Sequence, residues 1–427
     1  MALSPCSPNF APFESVTETL IFTNESHKQW WHKTGPFLAK LMISSNYKAE
    51  WQPKYLEFYA KVVAPFLGPY PQQVRSTITR SGLPVEFSVN YQQYGKQPTV
   101  RMAFEPLSEA SGTEVATYDR LTAKVFLSIL SKLDLKGFNP LLWDSVSQGI
   151  HINEAEKAFL QENKFDDTYV RTQTLFGFDF VGEGDISVKA YAFPGLKCKA
   201  SKQSSREILA HTVMNLQKQV HCIEVFSMID EYLHESGSYG RLSFLSWDCI
   251  EPSKCRVKIY MSSSSMTRAK LEEIWSLGSR LQSSSVSKGL QYLLRLFDCI
   301  NIKEGELEIK VEHDDRSDTH KVTPLMWNYE MRSGDPLPQT KIYLPVHGEN
   351  DLRIVNGVAQ FMKEIGMADI GESYLEAVQS YFPGYDLEQT ERLTSWVSFA
   401  YTEKMGVYLS IYYHSSTDNP WAAEEKQ

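Results

Sequence analysis

The chain has 427 residues, 42% of them hydrophobic and 22% charged, with a formal net charge of −9. That is the composition of a soluble globular protein longer than one ordinary core. Its acidic balance argues against nucleic acid or an anionic membrane as main partner, and no apolar run reaches the about 18 residues that suggest a membrane span.

The start, Met-Ala-Leu-Ser-Pro-Cys-Ser-Pro-Asn-Phe, has no basic stretch ahead of an apolar one and does not read as a secretory signal. Residues 1–24 read as a loose leader. Two helical segments follow, about Glu25–Ser45 and Lys48–Leu67, with Trp30, Trp31, Phe37, Leu38 and Leu41, then Tyr55, Phe58, Tyr59 and Val62 at helical spacing. Pro36 and Pro65 kink or end them. Strand-like Leu83–Asn90 and Thr99–Glu105 flank a turn at Tyr94-Gly95-Lys96 and make a hairpin. Helical stretches at about Ala116–Leu133 and Asn153–Gln161 lead to a second hairpin, Thr174–Val181 and Ile186–Phe193. Helices at about Ser205–Gln219 and Cys222–His234 lead to a third, Leu242–Ile250 and Cys255–Met261. Helices at Thr267–Leu277 and Ser285–Asp298, then an irregular insertion, lead to a fourth, Leu325–Met331 and Lys341–Val346. Helices near Asp351–Ile365 and Gly371–Tyr381 lead to the last, Thr394–Tyr401 and Val407–His414.

The order is two helices and a hairpin, five times over: a repeat of structure rather than of sequence. Ten antiparallel strands must hide their edges. Closing them into one barrel does so and leaves the helices to wrap the outside. The expectation is an α+β fold, a ten-stranded antiparallel β-barrel surrounded by helices, spanning residues 25–415, with a tail at 416–427. Two α+β domains are the competing architecture. Ten strands leave a lumen wider than side chains alone fill, so a ligand chamber is expected.

Side chains alternate across a strand, and the second strand of each hairpin carries an unusual face. Hairpin one offers Arg101, hairpin two Lys189 and Tyr191, and hairpin three Arg256, Lys258 and Tyr260. Hairpin four offers Lys341 and Tyr343, and hairpin five Tyr408 and Tyr412 with Ser410 between them. An open sheet with a solvated basic face is the other reading, but such a face would more often mix Glu and Asp among its cations. The intervening Met102, Ala190, Val257, Ile259, Ile342, Leu409 and Ile411 suit contact with helices. Cations in one chamber call for a highly charged anion, held by charge-assisted hydrogen bonds. Aromatic faces stabilise a cation by roughly 0.5–2 kcal/mol. Together they suit ionisation of an allylic diphosphate. Glu86, sharing a face with Ser88 and Asn90, reads as an ion-pair partner for Arg101 or as an acceptor for an N–H that makes an aromatic ring more nucleophilic.

Other motifs read as structural. Asp314-Asp315-Arg316-Ser317-Asp318 has the D-D-x-x-D form that holds Mg²⁺ in helical prenyl-diphosphate enzymes, but it lies in no helical context and faces no second acidic motif. A solvated loop is expected. His347-Gly348-Glu349-Asn350 reads as a turn and helix cap. Cys6, Cys198, Cys222, Cys249, Cys255 and Cys299 form no C-x-x-C pair and no zinc spacing, and read as reduced thiols of a cytoplasmic protein, although Cys249 and Cys255 could face each other across a hairpin. No metal site is expected.

From Glu25 to His414 the chain resembles the fungal indole prenyltransferases of the dimethylallyltryptophan synthase type. The resemblance is carried by Gly-Leu-Pro-Val-Glu-Phe-Ser-Val-Asn around Glu86, Val-Arg-Met-Ala-Phe-Glu-Pro around Arg101 and Val-Lys-Ala-Tyr-Ala-Phe-Pro around Lys189. Arg-Val-Lys-Ile-Tyr around Lys258, Lys-Ile-Tyr-Leu-Pro-Val-His-Gly around Tyr343 and Val-Tyr-Leu-Ser-Ile-Tyr-Tyr-His around Tyr408 complete it. It implies the prenyltransferase barrel, dimethylallyl diphosphate as donor, an indole as acceptor, and no required cofactor or metal. It further implies that Glu86 holds the indole N–H and that Arg101, Lys189, Arg256, Lys258 and Lys341 bind diphosphate. Tyr191, Tyr260, Tyr343, Tyr408 and Tyr412 would shield the carbocation and lend hydroxyls to the diphosphate. Some members carry glutamine where Lys341 stands. Thr172–Phe180 lacks the lysine that members alkylating free tryptophan at C4 use as a base. The wording is most similar to members acting on tryptophan-containing cyclic dipeptides. The chain is expected as a monomer or homodimer. A free-tryptophan prenyltransferase, a Mg²⁺-dependent prenyl-diphosphate enzyme and a non-catalytic binder of a phosphorylated metabolite are the other readings.

Overall fold

The strands, in chain order, are β1 (Val85–Gln92), β2 (Thr99–Phe104), β3 (Thr174–Phe180), β4 (Ile186–Ala192), β5 (Phe244–Asp248), β6 (Arg256–Ser263), β7 (Ser265–Met266), β8 (Gly305–Glu306), β9 (Leu325–Arg332), β10 (Gln339–Pro345), β11 (Thr394–Thr402) and β12 (Gly406–Tyr413). They belong to a computed structural model that describes residues 10–95, 97–111, 113, 118, 121–165, 171–240, 243–307 and 324–416. Ten strands close into one antiparallel barrel in the order β1-β12-β11-β10-β9-β6-β5-β4-β3-β2, and β7 and β8 pair as a separate ribbon. The expected barrel is therefore the one observed. Closure is made by β1 on β12, from Phe87 opposite Tyr413 to Gln92 opposite Tyr408.

The main hydrophobic core lies between barrel and helices, because the outward face of each strand is the apolar one. Val85, Phe87 and Val89 of β1 are fully buried, and Phe37 of the helix Glu25–Ser44 stacks on Phe87 at 6.1 Å. Phe126 of the helix Leu121–Leu130 packs on Phe104 and Phe176 at 4.8 and 5.0 Å. Trp143 lies parallel to Phe176 at 5.5 Å, and Trp275 meets Phe399 at 5.5 Å. Truncating one such ring to alanine costs about 3–5 kcal/mol. Helices also complete the backbone bonding of the sheet. Tyr47 accepts from the Val100 N–H at 3.0 Å and donates to the Phe180 carbonyl, joining β2 and β3 beyond their last paired residues.

Three readings of local structure change. Residues 1–24 are not all loose: Ala11–Thr19 is a helix whose Phe13 stacks on Trp31 at 4.9 Å and whose Val16 is buried. The helix Glu25–Ser44 runs through Pro36 rather than ending there, since its buried face is fixed on both sides of that residue. The segment after it ends as expected, in a single turn containing Pro65. The connections β2–β3 and β4–β5 each hold a further helix, Leu142–Ile150 and Gly195–Ser201, so the two-helix unit is extended there. Asn350 caps the helix Asp351–Glu364 by accepting from the Arg353 N–H at 3.0 Å, which makes His347–Asn350 the turn and cap expected. Asp314–Asp318 lies outside the described residues.

The helices Ser284–Ile300 and Asp351–Glu364 touch at Gly357, where a Cβ would stand 2.3 Å from the Cys299 carbonyl oxygen. Backbone cannot yield as a side chain does. Gly357→Ala is expected to lower stability by about 1–3 kcal/mol, read as a fall in Tm by circular dichroism.

Candidate active site

Register decides which inward side chains meet. Arg101 on β2 lies opposite Ser88 and Asp179. Lys189 on β4 lies opposite Gly177 and Asp248. Lys258 on β6 lies opposite Ser246 and Glu330, and Arg256 opposite Arg332. Lys341 on β10 lies opposite Asn328 and Ala400. With Glu86, Tyr191, Tyr260, Tyr343, Tyr408 and Tyr412, these residues line one cavity of about 920 Å³, open mouth included. Every candidate residue read from the sequence is thus brought to the same chamber.

The chamber is not purely cationic, and here the reading of the strand faces needs correction. Asp179 receives Lys189 Nζ at 2.5 Å and Arg101 Nε at 3.2 Å. Asp248 binds Arg256 at 2.5 Å. Glu330 lies 3.3 Å from Lys258, 3.6 Å from Arg256 and 2.7 Å from Arg332. These carboxylates stand on β3, β5 and β9, the first strands of their hairpins. Taking alternate residues along those strands gives Leu175-Gly177-Asp179, Phe244-Ser246-Asp248 and Met326-Asn328-Glu330, a signal that was available in the sequence.

Burial opposes every one of these charges, and the neighbours decide which survive. Burial alone would raise Asp179, but Arg101 and Lys189 hold it well below the usual carboxylate range. Asp248 and Glu330 are lowered likewise by Lys258 and Arg256. Burial, with repulsion from Arg101, Arg256 and Lys258, brings Lys189 down to about 8 despite Asp179. Burial and the cations Arg101, Lys258 and Lys189 push Lys341 well below the ordinary lysine value.

The aromatic residues form a continuous belt. Ring centroids are 6.1 Å apart for Tyr191 and Tyr260, 6.0 Å for Tyr260 and Tyr343, and 6.0 Å for Tyr343 and Tyr412. Phe244, which strand reasoning missed, backs the belt by stacking on Tyr260 at 4.3 Å. Gly177 makes room for it, since a Cβ there would stand 3.2 Å from the Tyr191 ring. Tyr408 sits apart, among the cations: Arg101 donates to its hydroxyl and lies 5.1 Å over its ring, with Lys341 at 5.0 Å. Asn328, 1% exposed, donates to the Tyr343 hydroxyl at 3.1 Å.

Glu86 is not Arg101's partner. It faces Ala103 across the hairpin, while Arg101 pairs with Asp179, and among the described residues Glu86 makes no ion pair. Burial pushes its carboxyl up to about 8. It is a polar group in the chamber wall whose side chain makes no hydrogen bond to the described residues. Cys198, Cys222, Cys249, Cys255 and Cys299 are free thiols, and the Cys255 Sγ donates to the Asp248 carbonyl at 3.2 Å rather than bonding to Cys249.

Residues 26–377 match the family described as tryptophan dimethylallyltransferase. The prenyltransferase okaC of Penicillium ochrochloron is 49% identical over 421 residues, 99% of this chain and 98% of that protein. The deoxybrevianamide E synthase notF of an Aspergillus species is 36% identical over 424 residues, 98% of this chain and 93% of that protein. The crystal structure of NotF in complex with brevianamide F and DMSPP superimposes with a TM-score of 0.86 at 34% identity, covering 96% of this chain and 99% of that one.

Glu86 generates a stability prediction with a definite sign. In the unfolded chain its carboxyl ionises near its ordinary value of 4.5, whereas in the chamber it keeps its proton to about 8. The native state binds more protons over that interval, so stability falls as pH rises through it. Glu86→Gln is expected to be more stable than the wild type by a few kcal/mol at pH 9 and equal to it near pH 4, measured by urea denaturation at each pH.

Proposed function

The chain belongs to the tryptophan dimethylallyltransferase family, and from that premise we propose that it transfers a dimethylallyl group from dimethylallyl diphosphate to the indole of a tryptophan-containing cyclic dipeptide. The observation that carries this is the juxtaposition, in one cavity, of the cations, the tyrosine belt and a buried carboxyl that makes no hydrogen bond to the described residues. The cyclic dipeptide as acceptor is supported by NotF, whose structure holds brevianamide F, and by the absence of lysine from Thr172–Phe180.

Arg101, Lys189, Arg256, Lys258 and Lys341 hold the diphosphate, with the Tyr408 hydroxyl beside them. The C1–O bond breaks and its electron pair leaves on the diphosphate oxygen, where preformed positive charge meets the charge that develops. The allylic cation forms against Tyr191, Tyr260, Tyr343 and Tyr412. Burial keeps Tyr191, Tyr343 and Tyr412 protonated well above the ordinary phenol range, so these faces offer π density without a nucleophilic phenolate. Glu86 accepts the indole N–H, orients the ring and raises its electron density. An indole carbon attacks the cation, and loss of a proton restores the aromatic ring. The chain's own cations offset the diphosphate charge, which supports a reaction that requires no divalent metal. No described helix is long and apolar enough to cross a membrane. The free thiols support a cytoplasmic location.

Incubation with dimethylallyl diphosphate and a panel of tryptophan and tryptophan-containing cyclic dipeptides, followed by NMR of the product, is expected to give a prenylated cyclic dipeptide at a rate unaffected by excess EDTA. Turnover of free tryptophan alone, or loss of activity in EDTA, contradicts the reading. Glu86→Ala is expected to lower turnover by roughly 10²-fold or more while the circular dichroism spectrum stays unchanged. Lys258→Ala is expected to raise the KM for the donor far more than that for the acceptor, and equal effects on both contradict its place at the diphosphate.

A further inference from the structure

Four of the five cations assigned above to the diphosphate already have a carboxylate. Arg101 and Lys189 share Asp179, Arg256 contacts Asp248 and Glu330, and Lys258 contacts Glu330. Lys341 is built differently. Its cross-strand neighbours are Asn328 on β9 and Ala400 on β11. Its Nζ lies 5.1 Å from the Tyr343 ring centre and 5.0 Å from that of Tyr408, with Ser410 Oγ at 3.5 Å. Among the described residues no carboxylate oxygen comes within ion-pair distance of it. The charged groups that act on it from the other walls are Arg101 on β2, Lys189 on β4 and Lys258 on β6. Asp179 on β3 is the acid that acts in the opposite sense. An ammonium at this point is taken out of water and repelled from three sides, against the attraction of the Tyr343 and Tyr408 faces and of a carboxylate already shared between two other cations.

We propose that Lys341 rests as a neutral amine in the empty chamber and takes up one proton from solvent when the diphosphate enters. The inference rests on the diphosphate assignment made above. The amine lone pair gains a proton, no other bond forms or breaks, and the new ammonium pairs with an anion that also draws in Arg101 and Lys258. Two advantages follow. The empty chamber avoids one uncompensated charge, and an anion of high charge is selected because it alone offsets both the existing cations and the added one. Burial and the same three cations pull the proton affinity of Lys341 down, which agrees with this resting state.

Donor binding is then linked to pH through this side chain. The probes are inorganic diphosphate and dimethylallyl thiolodiphosphate, titrated calorimetrically into the wild type, Lys341→Arg and Lys341→Gln at pH 7.5, in buffers of different ionisation enthalpy. The dependence of the observed heat on buffer enthalpy counts protons. The wild type is expected to take up close to one proton more than either variant. Arginine stays charged throughout, so Lys341→Arg still binds, and the wild-type Kd is expected to rise up to about tenfold more than that of Lys341→Arg between pH 7 and 8. Lys189 and Glu86 also titrate in this range, and because a permanent charge at position 341 depresses Lys189 further, the comparison is repeated in a Lys189→Gln background, where that contribution is removed. Equal proton uptake by wild type and Lys341→Arg, with binding intact, overturns the proposal and leaves the diphosphate site standing. Failure of the wild type to bind either probe overturns both.

Discussion

Like charges cannot be gathered in a space shielded from water unless opposite charges stand among them. The lumen obeys this constraint at each level of its construction. Isolated buried ions cost several kcal/mol each, yet the barrel assembles Arg101, Lys189, Arg256, Lys258 and Arg332 within one cavity. Asp179, Asp248 and Glu330 make that possible, each reaching a cation on a neighbouring strand. The pairs leave the cations charged and fixed before any ligand arrives. A catalytic site gains from such preorganisation, because no side chain needs to reorient as the leaving group takes on charge.

The barrel keeps two aromatic layers apart by the same alternation that separates its faces. Phe87, Phe104, Phe176 and Phe399 point outward and are locked against helices, which makes the wall stiff. Tyr191, Tyr260, Tyr343 and Tyr412 point inward and keep open faces. A one-residue slip in any strand would exchange the two sets. Closure of β1 on β12 leaves no edge strand in the barrel to drift. The spiral register of a closed barrel also explains how side chains far apart in sequence, such as Arg101 and Tyr408, come into contact.

Much of this was legible from period-two alternation and the repeated hairpins. The strands fall within about two residues of their expected places, and all eleven candidate side chains line the chamber. What was missed was missed for identifiable reasons. Asp179, Asp248 and Glu330 carry the same alternation signal as the cations, but a lone acid on an otherwise apolar or small strand face stands out less than Lys-x-Tyr. The helix Ala11–Thr19 has a Pro/Ser-rich approach, and its apolar stripe gains meaning only from Trp31, which it covers. Glu86 and Arg101 are close in sequence and opposite in charge, and only the register shows that they face Ala103 and Asp179 instead.

The sequence by itself determined the five hairpins, the closure they require, and the inward rows of Arg, Lys and Tyr, because alternation and edge avoidance are local rules that each strand carries in its own residues. The family motifs added what the chamber is for. Tertiary structure alone decided which charges meet. Arg101 and Lys189 share one carboxylate, Lys341 has none within ion-pair distance among the described residues, and Glu86 is left with burial as the force on its proton. Those outcomes depend on the register between strands distant in sequence and on the burial of these side chains within the barrel, and neither is written in any single strand.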